Sequence, residues 1–126
     1  MDRAKSWQRK YAVAFRGLWI SICDQRSFWI HLPIALIVII LAAAMRLEAW
    51  RWTALACVIT IVLSAELMNT AIERLVKRLH PEVDVQIGDV LDTAAAAVLI
   101  AAIGAVCVGV IVLGPPLVEL LLKPSL

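Results

Sequence analysis

Glu66, Asn69, Thr70 and Glu73 stand at offsets of 0, 3, 4 and 7 within a largely apolar stretch. On an α-helix these offsets share one face, and Glu66 to Glu73 covers about 10 Å along the axis. A second acidic group, Asp89 and Asp92 followed by Thr93, opens the next apolar stretch. If the two stretches are antiparallel neighbours, as the short polar link at residues 81–84 implies, Asp92 approaches the Glu73 end of the polar face. The carboxylates then gather near Arg16, Arg26, Arg74, Lys77 and Arg78. Hard oxygen ligands beside cations suit a magnesium-bound polyphosphate, the metal neutralising charge while the basic groups hold the remaining oxygens. Glu66, the deepest carboxylate, is placed to accept a proton from a hydroxyl arriving from lipid. Two other readings use the same residues: interhelical hydrogen bonds and ion pairs that fix an oligomer, or an ion or proton pathway.

The elements that must position these groups are membrane helices. The chain has 126 residues, of which 63% are hydrophobic and only 17% charged, a balance far from that of a water-soluble domain. Residues 28–45 carry no charge and reach roughly 27 Å as a helix, enough to cross a bilayer. Ser27 is placed to cap that helix, and Pro33 to kink it without breaking it. A second span runs over residues 52–78, apolar in its first half and polar in its second. Counting about 21 Å from Trp52 puts Glu66 beneath an interface, where a carboxylate is expensive; at a bilayer centre the cost of a charge begins at about 2.5 kcal/mol. A third span covers residues 89–113, with Gly114, Pro115 and Pro116 marking its end and an apolar tail beyond. Its Ala97, Ala101, Ala105 and Gly109 recur every four residues, a small-residue face that lets helix backbones approach, within one subunit or between subunits.

Residues 1–25 read differently. Trp7, Tyr11, Ala14, Phe15, Leu18 and Ile22 form an apolar stripe opposite Lys5, Arg9 and Arg16, the pattern of a helix lying in the headgroup plane. With the amino terminus inside, nine Lys and Arg lie on the cytoplasmic side and three outside. Cys23, Cys57 and Cys107 have no metal-ligand spacing and read as apolar filler. Neither His31 nor His80 adds to the candidate chemistry on position alone. The expectation is a single all-α membrane domain, an amphipathic surface helix followed by three transmembrane helices.

The run from Ala65 to Glu73, Ala-Glu-Leu-Met-Asn-Thr-Ala-Ile-Glu, closely resembles the signature of the prokaryotic diacylglycerol kinase family, which includes the undecaprenol kinases. Matching segments extend the resemblance from Tyr11 to Leu113: residues 15–18, residues 30–32, and Asp92 followed by residues 96–100. The Ile30-His31 pair resembles the undecaprenol kinase branch more than the enteric one. The resemblance implies a homotrimer in the bacterial inner membrane, with composite sites at subunit boundaries that transfer the ATP gamma-phosphate to a lipid hydroxyl with Mg2+. The lipid would be diacylglycerol or undecaprenol. Carried over by position, Glu66 is the catalytic base and Glu73 a metal ligand, while Asn69 and Asp92 belong to the nucleotide site, which Arg16 and Gln25 complete. Gln25 stands where the family has a metal-holding glutamate, and Leu91 where it has a phosphate-contacting lysine. The alternative these two departures raise is a non-catalytic membrane oligomer of the same fold.

Overall fold

The computed structural model describes residues 3–123, so residues 1 and 2 at the head of the surface helix and 124–126 of the tail lie outside the described residues. The order is α1 (Arg3–Asp24), α2 (Arg26–Ala44), α3 (Ala49–Leu79) and α4 (Val85–Leu122), with no strand among the described residues. The last three are long and apolar enough to cross a membrane.

Only Gln25 separates α1 from α2. Its extended backbone (φ −105°, ψ 123°) turns the chain, and its N–H still donates to Ser21 O at 3.1 Å. The helix therefore begins at Arg26, and Ser27 lies inside it rather than capping it. The turn is held from the α2 side by the Trp29 indole N–H, which donates to Ile22 O at 3.0 Å. That carbonyl is one of those a helix end leaves without an internal partner. α1 meets the other helices through its second half, while Trp7, Tyr11 and Phe15 are 57%, 62% and 69% exposed, leaving the aromatic stripe free for a bilayer surface.

α2 carries Pro33 without interruption and ends at Met45. Arg46 then adopts a left-handed conformation (φ 50°), the position after a helix end that reverses the chain. α3, 31 residues and so about 46 Å long, exceeds a hydrocarbon core of about 30 Å by several turns. Its charged last turns occupy that excess. α3 and α4 pack antiparallel over the most extensive interhelical contact in the chain.

Gly114, Pro115 and Pro116 do not end the last helix, which continues to Leu122. Proline at 116 has no N–H to give Val112 O four residues back, a loss that ordinarily kinks or stops a helix. The Arg51 guanidinium supplies the missing donor from the start of α3, hydrogen-bonding Val112 O. Arg51 is itself held by Glu48 at 3.9 Å and by the Trp50 ring, 4.5 Å away. Around it lies the main apolar cluster, Ala42, Leu55 and Val112, packed by Val38, Trp52 and Val108.

The three spans expose many large apolar side chains, as expected where lipid is the solvent. Ala101, Ala105 and Gly109 of the small-residue stripe are half-buried on the flank of α4 nearest α3, while Ala97 is exposed. Ala105 and Gly109 border a groove between α4 and its neighbours.

Arg51→Met strips Val112 O of its donor and is expected to cost about 1 to 3 kcal/mol in detergent-induced unfolding. The loss should be clearly smaller in a Pro116→Ala background, where a backbone N–H is restored. Equal losses in both backgrounds would show that Arg51 does not replace the proline's missing bond.

Candidate active site

The polar half of α3 turns inward as its spacing predicts. Glu66 and Thr70 are buried, at 3% and 2% exposure, and Asn69 and Glu73 are half-buried, while Met68 and Arg74 point out. A carboxylate this far from water needs a donor, because an unpaired buried charge is among the costliest arrangements a fold can hold. His31 provides it. Its Nε2 lies 2.9 Å from Glu66 Oε1, with the imidazole about a quarter exposed.

One turn along α3, Asn69 Nδ2 donates to Glu73 Oε1 at 3.1 Å, an i, i+4 contact. Asn69 Oδ1 is buried and has no hydrogen-bond partner. A buried carbonyl oxygen beside a carboxylate is a pair of hard acceptors with unused capacity, a set that favours a cation or a donor from outside the chain. One residue further, Arg74 Nη2 pairs with Asp24 Oδ2 at 3.3 Å, tying the end of α1 to α3. Between those helices lies an open cavity of about 360 Å³ lined by Gly17, Ser21, Thr70 and Arg74, among others.

A second groove, about 260 Å³, runs along α2, α3 and α4 from His31 toward Gly109. Its walls are apolar, from Ile34, Val38, Leu63 and Ala105, and His31 is its single polar lining residue. The buried Glu66–His31 pair therefore lies at the end of a lipid-compatible slot, and the Asn69–Glu73 pair lies between it and the charged end of α3.

Other anticipated groups stand apart within one chain. Asp92 is exposed, as is Asp89. The half-buried positions of α4, Leu91, Ala94, Val98, Ala101 and Ala105, place Asp92 well off the face that packs on α3, at roughly 140° from Ile87 on the helical wheel. Asp92 lies on the exposed flank of α4. Arg16 is exposed on α1, and Gln25 is half-buried at the α1/α2 turn, its side chain making no cap hydrogen bond. Among the described residues, no group of three or more His, Cys, Asp or Glu side chains is gathered.

His31 is the residue that sequence reasoning misses. A signal for it exists: a histidine and a glutamate buried in neighbouring spans each require a polar partner, and each is the nearest candidate for the other.

A family model described as prokaryotic diacylglycerol kinase matches residues 12–113. A diacylglycerol kinase of Synechocystis sp. is 36% identical over 126 residues, covering 94% of this chain and 72% of that protein. The matched region takes in α2, most of α1, all of α3 and the length of α4 up to its prolines. A membrane protein built from three apolar helices and matched over so much of its length belongs to the prokaryotic diacylglycerol kinase family and is a lipid kinase.

Proposed function

We propose that this chain transfers the gamma-phosphate of MgATP to the hydroxyl of diacylglycerol or undecaprenol at the cytoplasmic face of the bacterial inner membrane, with Glu66 as the general base. The observation that carries the reading is the stacking of two polar pairs on one face of α3. Glu66 is buried beside an apolar groove, and Asn69–Glu73 lies one turn nearer the charged helix end. Lipid and nucleotide approach such a site from opposite sides.

Glu66 accepts the proton as the lipid oxygen attacks the gamma-phosphorus; the new O–P bond forms while the bond from that phosphorus to the beta–gamma bridging oxygen breaks, and ADP leaves. Holding the hydroxyl against a carboxylate in a water-poor site also disfavours hydrolysis of ATP. Glu73 and the free Asn69 Oδ1 suit Mg2+ arriving with the nucleotide, since that ion keeps phosphate and water ligands and needs only one or two protein oxygens. Gln25 offers a further, neutral oxygen from the α1/α2 turn. The metal, when bound, neutralises the polyphosphate and polarises the transferring group. Arg74, Arg16 and the basic end of α3 supply positive potential for the phosphates.

A homotrimer accounts for Asp92. An exposed carboxylate near the start of an apolar helix is unfavourable against lipid, and a neighbouring copy would bring it to the nucleotide side of the site. The excess of basic residues at this end of the bundle supports a cytoplasmic amino terminus.

Purified protein in lipid vesicles should transfer labelled phosphate from ATP to one or both lipids offered side by side. Glu66→Gln should reduce the rate by about 100-fold or more, the scale of a lost general base. Transfer by that variant at the native rate would remove Glu66 from the chemistry. Mixing inactive Glu66→Gln with inactive Asp92→Asn subunits should restore partial activity if the site is shared between copies. Mixtures as inactive as either parent would place both residues in a single-copy site.

A further inference from the structure

Resting on the reading of Glu66 as the base, we propose that His31 is a positioning residue for phosphoryl transfer, its Nε2–H fixing one oxygen of the Glu66 carboxylate so that the other faces the incoming lipid hydroxyl.

A glutamate side chain has three rotatable bonds, and a base acts only within hydrogen-bond reach of its proton. In this chain Glu66 is buried to 3% exposure, and its one ion-pair or side-chain hydrogen-bond partner among the described residues is His31 Nε2, at 2.9 Å. The other charged groups nearby are committed or distant: Arg74 pairs with Asp24, Glu73 accepts from Asn69, and Asp89 and Asp92 are exposed on α4. Held at Oε1 by the imidazole, the carboxylate keeps Oε2 for the substrate.

The surroundings of His31 place it where a lipid would pass. It is the single polar residue lining the apolar groove, and its side chain is 26% exposed where that of Glu66 is 4%. A hydroxyl entering on an apolar chain along Val38 and Ile34 meets the imidazole before it meets the buried carboxylate.

The test compares His31→Leu, which fills the space without a donor, with His31→Gln, whose amide N–H can reach a similar point. Both are assayed in lipid vesicles with labelled ATP, with and without Glu66→Gln, after thermal and size-exclusion checks of folding. His31→Leu should lower kcat by about tenfold with KM for ATP unchanged, His31→Gln should recover most of the rate, and His31→Leu should cost nothing further in the Glu66→Gln background. If His31→Leu fails to fold, His31→Met takes its place. A donor-free variant within twofold of the native rate, equal loss in the Gln and donor-free variants, or full additivity with Glu66→Gln would overturn the proposal. Native activity in Glu66→Gln alone would instead overturn the base assignment, whereas an inactive Glu66→Gln beside a fully active His31→Leu would remove His31 only.

Discussion

A carboxylate enclosed among apolar helices is tolerable only if something donates to it, and in this chain that requirement falls on the contact between Glu66 and His31. The contact joins α2 to α3 at the depth where the polar half of α3 begins. It fixes the rotation of α3, because turning that helix by one residue would swing Glu66 and Thr70 toward lipid and bring Ala65 or Leu67 to the inward face. Asn69 and Glu73 follow on the same face, and the Arg74–Asp24 pair closes the end. A lipid kinase must bring an apolar substrate and a highly charged one to a single point. A helix whose inward face grades from apolar groove to buried carboxylate to exposed cations meets that demand with one element.

The opposite end of the bundle obeys a related rule, that backbone groups out of reach of water must be paired. Pro116 leaves Val112 O without its helical donor, and Arg51 takes up the carbonyl. The carbonyl sits within the apolar cluster around Val112, and α4 runs on past the prolines as one continuous helix. At both ends a polar side chain on α2 or α3 answers a need created on a neighbouring helix, and the long apolar surfaces between need no specific partners.

Much of this is legible in the chain. The uncharged runs reveal three spans because lipid imposes their length, and the 3.6-residue period alone places Glu66, Asn69, Thr70 and Glu73 on one inward face. The amphipathic α1 follows from the same period. What the sequence conceals depends on contacts between helices. Pro115 and Pro116 read as a stop because proline removes a bond, and only the packed structure reveals the arginine that replaces it. Ser27 looks like a cap, yet the chain turns two residues earlier, at Gln25, where an indole from α2 satisfies a carbonyl of α1. His31 looks inert because its importance comes from a glutamate 35 residues away. Antiparallel packing alone puts Asp92 beside Glu73, but the rotation of α4 is set by Leu91, Ala94 and Val98, which lie half-buried on its flank toward α3 and leave Asp92 exposed.

The hydrogen bond between His31 and Glu66 inside the membrane is open to direct measurement by magic-angle-spinning NMR of the protein in bilayers. With histidine labelled in 15N and glutamate in 13C at the carboxyl carbon, a through-space dipolar coupling between His31 Nε2 and the Glu66 carboxyl carbon is expected, as the 2.9 Å contact of that nitrogen with Glu66 Oε1 requires. It should vanish in Glu66→Gln, whose amide carbon lies outside the glutamate label. Absence of that coupling in the native protein, with the Glu66 carboxyl in rapid exchange with bulk water, would contradict a buried carboxylate held by the imidazole.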